Sequence, residues 1–212
     1  MKPEFYYPTK PFFVTQRWGL SNPAMYSQFG FTKHNGLDTH LPKDKTGYAP
    51  FNGFVVRNGN QPTGGGIFVG FMSEDEFQFD DGKYRVLVDL LHCEKIILNE
   101  GDRAELGEKL AILDNSGFTT GPHLHTQWRR TKNWNGKYGK ELRWEEVDRN
   151  AANNSIDPAP YFTGKYAQDY LEPIEPEPIP EPLTEPEKIE IIKKEITLIE
   201  KIIALFKKLI SG

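Results

Sequence analysis

Cysteine is nearly absent. Cys93 stands alone in 212 residues, so no intramolecular disulfide can staple the fold. An excess of positive charge is missing too: 26 basic residues face 30 acidic ones, for a net charge of -4. That balance excludes the cationic surface of a nucleic-acid binder. The first residues, Met1-Lys2-Pro3-Glu4-Phe5-Tyr6-Tyr7-Pro8, lack both an apolar h-region and a small-residue cleavage site, so no signal peptide is expected. Eight charged residues between Ile189 and Ile210 exclude a transmembrane span from the most apolar stretch. Long amphipathic periodicity is lacking through the first 165 residues, which leaves no helix to build that region from.

What that region holds is short β segments. Gly53-Phe54-Val55-Val56, Gly66-Ile67-Phe68-Val69-Gly70-Phe71 and Tyr84-Arg85-Val86-Leu87-Val88-Asp89-Leu90 are rich in β-branched and aromatic residues and bounded by turn formers. The acidic stretch from Glu74 to Gly82 is expected to form the hairpin between the second and third of these, and Asn135-Gly136 marks another turn. Nearly all the aromatics lie here, enough for a real core. The fold class expected for residues 1–165 is all-β, a mostly antiparallel sheet with a groove on one face.

Chemistry concentrates in Gly117-Phe118-Thr119-Thr120-Gly121-Pro122-His123-Leu124-His125. On a strand, residues i and i+2 share a face, so His123 and His125 point one way and Leu124 points into the core. Far upstream, His34-Asn35-Gly36-Leu37-Asp38 sets a histidine and an aspartate four apart around an Asn-Gly pair, a poor helix interior. His34 and Asp38 are therefore expected on a strand and the turn that leads into it. With one histidine of the downstream pair they make an N/N/O donor set, the type that holds a catalytic Zn2+ and leaves a position open. Blander readings apply elsewhere. His40 is expected in a loop, Cys93 in the core, and Arg129, Arg130, Lys132, Lys137, Lys140 and Arg143 on a solvated hairpin, the alternative being that this basic cluster lines a groove for an anionic wall polymer.

These blocks resemble the lysostaphin-type zinc endopeptidases of bacterial cell walls, metallopeptidase family 23. The resemblance runs from about Phe13 to Phe162. Val14-Thr15-Gln16-Arg17-Trp18-Gly19 looks like the family's opening strand. His34 to Asp38 matches H-x-x-x-D, and Ala49-Pro50-Phe51-Asn52-Gly53-Phe54-Val55 resembles A-P-x-x-G-x-V. Gly101 to Ala111 resembles the G-D turn, and Gly117 to His125 matches T-G-x-x-T-G-P-H-L-H with one change at its head. The resemblance implies His34, Asp38 and His125 as zinc ligands, and His123 as a catalytic histidine beside the metal-bound water. It implies a second catalytic histidine at His92, in Asp89-Leu90-Leu91-His92-Cys93, where the family's Y-x-H-L has Leu90 and Cys93 in place of its tyrosine and final leucine. After His125, Thr126 and Gln127 stand where the family has an aromatic and an acidic residue.

The expected function is zinc-dependent hydrolysis of peptide bonds in peptidoglycan, in stem peptides or cross-bridges. Zinc lowers the pKa of bound water to ~7 and polarises the scissile carbonyl, and two histidines suit the proton transfers. Without a signal peptide, the expected setting is a phage or prophage lysin, released by lysis or carried on a virion. A non-catalytic wall-binding module or hydrolase activator is the alternative, as is a structural virion component, but such relatives typically lose ligands that this chain keeps. Bond specificity is expected to lie in loops such as Thr39 to Gly47 and Lys132 to Asn153.

Residues 166–187 are expected to be a spacer. Between Leu171 and Glu187, six of seventeen residues are Pro and six are Glu, a composition for polyproline II spanning on the order of 50 Å. In residues 188–212 the apolar positions Ile189, Ile192, Ile196, Ile199, Ile203, Phe206 and Ile210 are spaced 3,4,3,4,3,4, a helical heptad stripe. Isoleucine at both seam positions favours self-association into trimers or tetramers; the widened face, with Leu198, Ile202, Leu205 and Leu209, equally suits a membrane surface. Light scattering is expected to show an oligomer for the full chain at tens of micromolar and a monomer for a chain cut after Asp169. A full-length monomer that sediments with liposomes would instead select membrane contact.

Overall fold

The computed structural model describes residues 1–147 and 155–170. The expected spacer from residue 171 onward and the expected C-terminal helix lie outside the described residues. Thirteen strands follow in order: β1 (Phe5–Tyr7), β2 (Val14–Gln16), β3 (Leu37–His40), β4 (Thr46–Tyr48), β5 (Gly53–Gln61), β6 (Gly66–Ser73), β7 (Phe77–Phe79), β8 (Gly82–Ile96), β9 (Arg103–Ala104), β10 (Lys109–Leu113), β11 (His123–Lys132), β12 (Glu145–Glu146) and β13 (Phe162–Tyr166). One helical turn, α1 (Pro23–Tyr26), lies between β2 and β3 and is capped by the Asn22 side chain on the Met25 amide. The all-β expectation holds.

The main sheet runs β2-β3-β11-β8-β6-β5-β9, and every neighbouring pair is antiparallel. Strand β10 lies off this path, pairing with β4 and with the C-terminal end of β8. β1 and β13 form a separate parallel pair. The expected hairpin between β6 and β8 contains a strand of its own, because β7 folds back on β8 with Phe77 opposite Tyr84 and Asp80-Asp81 at the tip.

Alternation sorts the two central strands by face. Val86, Val88 and Leu90 of β8 and Leu124 and Trp128 of β11 are fully buried in one apolar core. Trp128 stacks on Phe5 at 4.8 Å between ring centroids, so the N-terminal β1 closes that core. The opposite face carries the groove. Near its far end Val56, Met72, Leu87 and Leu142 make a second, smaller apolar cluster with Trp134 and Trp144.

Three expectations change. The fold extends past residue 165 to Tyr170, because Asp169 ion-pairs with Lys10 at 2.6 Å and Tyr170 sets its ring edge-on to Tyr6. His40 is the last residue of β3, opposite His123, although it remains exposed as a loop residue would. Arg129 and Arg130 are not on a solvated hairpin. They lie within β11, where Arg129 is buried and Arg130 covers the rings of Phe79 and Tyr84.

Because Trp128 is wholly buried against Phe5, Trp128→Ala removes a large packed side chain and leaves a cavity. A loss of about 3–5 kcal/mol in denaturant unfolding is expected, with fluorescence and circular dichroism reporting the same midpoint shift.

Candidate metal centre and active site

The centre is built on cross-strand register. β3 pairs with β11 so that Asp38 lies opposite His125, and β8 flanks β11 on its other side with Leu91 opposite His125. His34 sits in the turn before β3, fixed by its amide to the Leu20 carbonyl at 2.9 Å and its carbonyl to the Gly19 amide at 2.8 Å. Asp38 Oδ1 then lies 2.8 Å from His125 Nδ1 and 3.1 Å from His34 Nε2, and the two imidazole nitrogens are 3.1 Å apart.

Gly36 makes this approach possible. A Cβ there would stand 2.3 Å from the Thr126 carbonyl oxygen and 2.6 Å from His125 Nε2, so only glycine lets the turn lie flat against β11. His34 Nδ1 is 3.0 Å from the Arg17 carbonyl and donates to it, which turns Nε2 toward Asp38 and His125.

Two nitrogens and one carboxylate oxygen thus converge among buried or half-buried side chains, as a metal site requires. Their separations of 2.8–3.1 Å are shorter than the edge of about 3.4 Å of a tetrahedron with zinc-to-ligand bonds near 2.1 Å. The donor set fits such an ion after small side-chain adjustments.

His92 and His123 border these three. Their ring centroids are 4.7 Å apart, and His92 lies 6.1 Å from His125. Strict alternation along β8 would send His92 into the core and Cys93 into the groove, because Leu90 is core and Leu91 lines the groove. A bulge prevents that. His92 has φ 61°, rare for a residue with a Cβ, and the register of β8 on β6 slips between Ile67 and Val69. The His92 amide is held by the Gly65 carbonyl at 2.8 Å. Leu91 and His92 therefore both face the groove, and Cys93 returns to the core, where burial pushes its thiol up to about 12.

Both rings are oriented by carbonyls. His92 Nδ1 donates to Ser116 at 2.7 Å and His123 Nδ1 to Gly121 at 2.8 Å, so each presents Nε2. His123 Nε2 lies 3.6 Å from Asp38 Oδ1.

Burial and charge set the protonation states. Burial opposes ionisation of Asp38, but hydrogen bonds from His125 and His34 outweigh it and hold the carboxyl well below its ordinary range. Burial pushes His92 down from 6.5 to about 4, against the hydrogen bond to Ser116 and with help from the neighbouring His125 and His123. Burial also lowers His125, although Asp38 works against it. His92 and His125 are accordingly neutral at pH 7.

The groove has a volume of about 390 Å³. Residues 39–47 and 132–147 of the loops that sequence reasoning favoured do not line it, and residues 148–153 lie outside the described residues. Its walls, among the described residues, come from Met25, Tyr26, Phe29 and Phe31 on one side and from Gly64, Gly65, Phe68 and the 118–120 turn on the other. Tyr26 stacks on Phe31 at 5.6 Å and on His34 at 5.7 Å, and its hydroxyl is bonded to Gln16. Phe29 meets the exposed Phe118 edge-on at 5.3 Å. The run of aromatics just before His34 was the available signal. The floor includes Arg57, Asp89, Gln127 and Arg129, of which sequence reasoning had weighed only Arg129 as a groove residue, as the alternative to a solvated hairpin.

The family description for peptidase family M23 matches residues 32–138. The peptidoglycan DD-endopeptidase ShyA of Vibrio cholerae is 30% identical over 92 residues, 43% of this chain and 19% of ShyA. An uncharacterized metalloprotease of Haemophilus influenzae is 28% identical over 95 residues, 45% of this chain and 18% of its own length. The chain thus spans about a fifth of the length of these relatives. Among solved structures, the antimicrobial peptidase lysostaphin from Staphylococcus simulans superimposes with a TM-score of 0.50 at 18% identity, over 76% of this chain and 55% of that one, a likeness in fold.

The low folded-state pKa of His92 has a stability consequence. Between about 4 and 6.5 the unfolded chain binds more protons than the folded one, so stability rises with pH across that window. The lowering at His125 acts in the same direction. Metal-free protein is expected to unfold at a lower temperature as pH falls from about 7 toward 4, and His92→Gln is expected to flatten that slope. Scanning calorimetry across the range checks it.

Proposed function

This chain belongs to peptidase family M23 and is a metalloendopeptidase, and from that premise we propose that it hydrolyses peptide bonds of peptidoglycan with zinc held by His34, Asp38 and His125. The observation that carries the reading is the convergence of those three donors within 2.8–3.1 Å, with two further imidazoles turned toward them on the floor of a groove. Zinc, when bound, would supply Lewis acidity toward the scissile carbonyl.

The chain's own residues do the rest. Asp38 contributes a permanent negative charge, because its neighbours keep it ionised. Arg17, through its carbonyl, fixes the tautomer in which His34 Nε2 is a ligand. His92 Nε2 carries a lone pair at neutral pH, since burial keeps the ring uncharged. His123 Nε2 stands on the more open side of the site. Between them these two nitrogens accept the proton of the attacking water and return one to the leaving amine nitrogen. The Ser116 and Gly121 carbonyls hold each ring for that exchange without moving. The site of action on this reading is the cell wall.

Elemental analysis of purified protein is expected to find about one zinc per chain, as a three-ligand catalytic site holds, and Asp38→Ala to lose it. His92→Ala and His123→Ala are expected to keep the metal and the fold while hydrolysis of purified walls, followed by mass analysis of released peptides, drops 10²–10⁴-fold. Full activity without metal, or near wild-type rates in either histidine variant, would contradict the assignment.

A further inference from the structure

We propose that Arg57, backed by Asp89 and Arg129, anchors a carboxylate of the substrate peptide at the end of the groove away from the metal donors. The proposal rests on the peptidase reading above and extends it to substrate choice. His123, His125, Gln127 and Arg129 alternate on the groove face of β11, so the floor runs from the catalytic histidines to a guanidinium. Arg129 lies four positions beyond His125, roughly 14 Å at ~3.4 Å per residue. An extended peptide cut at the histidine end reaches the arginines about three to four residues from its scissile bond.

The arginines are part of a built arrangement. In register, Arg57 of β5 lies opposite Gly70 of β6, Gly70 opposite Asp89 of β8, and Asp89 opposite Gln127 of β11. Arg57 crosses over Gly70 to reach Asp89. A Cβ at Gly70 would stand 2.6 Å from Arg57 Cγ and 2.7 Å from Asp89 Oδ1, so the crossing needs a glycine. Arg57 Nε and Nη2 donate to Asp89 Oδ1 at 3.0 Å and Oδ2 at 2.6 Å, and Arg129 Nη1 donates to the same Oδ2. Two guanidiniums thus share one buried carboxylate. Burial disfavours the charged Asp89, but the two arginines overcome that and keep it ionised. The other nearby acid, Glu146, lies 3.4 Å from Arg129 Nε, and its charge also acts on Arg57.

What remains on the groove side is an unpaired guanidinium edge. Arg57 is a quarter exposed, lies over the Trp144 ring at 5.0 Å and the Phe68 ring at 5.9 Å, and its Nη1 meets no partner among the described residues. A guanidinium held flat by rings with a free edge is a fork for a second carboxylate. Stability alone is a weak reason for the arrangement, because apolar side chains usually replace a buried ion pair at no cost.

Two synthetic cross-linked stem-peptide dimers decide the proposal, one with free carboxylates and one with the same carboxylates amidated. Binding to the full-length protein is read by fluorescence anisotropy and cleavage by chromatography. The wild type is expected to bind the free acid about tenfold more tightly. Arg57→Gln is expected to erase the preference through KM, with kcat little changed. Arg57→Lys, which keeps charge but loses the fork, should retain part of it. A thermal scan on each variant detects a merely structural role, which would weaken both peptides alike. Equal binding of the two peptides by the wild type, or an intact preference in Arg57→Gln, overturns the anchor. A free-acid preference in binding with neither peptide cut would leave the anchor standing and sink the peptidase reading.

Discussion

The antiparallel register of β11 between β3 and β8 is the constraint on which the rest depends. It sets Asp38 across from His125 on one side and Leu91 across from it on the other. A slip of one residue in either pairing would turn His123, His125, Gln127 and Arg129 into the core and Leu124 and Trp128 into the groove. The fully buried faces of Leu124 and Trp128 forbid that slip, because their burial is the largest apolar term available to β11. Packing on one face of a single strand therefore holds the polar geometry on the other.

Placing that many polar groups in a poorly solvated groove requires internal compensation. Each imidazole has a carbonyl, carboxylate or second imidazole as partner, and each buried guanidinium has an acid. The same pairing orients the groups. A neutral histidine whose Nδ1–H is committed to a main-chain oxygen offers one defined lone pair. Order at the site is thus a by-product of satisfying its hydrogen bonds, and glycines at 36 and 70 permit approaches that any side chain would block.

Much of this was legible in the sequence. Short β-rich segments between turn formers, without helical periodicity, are sufficient for an antiparallel sheet, since local composition and alternation depend on neighbours alone. His34, Asp38, His123 and His125 stood out by spacing, and all four meet in the structure with His92 beside them. The groove walls were not legible. Loops at 39–47 and 132–153 looked suitable because they are polar and long. Among the described residues the aromatic turn around Tyr26 and Phe29 forms a wall, since the chain must pass there to bring His34 to β11.

The sequence by itself determined which residue types were available, which segments extend, and which side chains share a face within a strand, because those follow from bonding geometry and a period of two. Only the tertiary structure decided two other things. The family resemblance implied His92 at the site and Cys93 in the core, but the bulge that breaks the period to put them there is announced by no local pattern. The crossing of Arg57 over Gly70 to Asp89 joins positions 57, 70 and 89 on three strands. Contacts of that kind are set by which strands become neighbours, which is a property of the sheet and not of any segment within it.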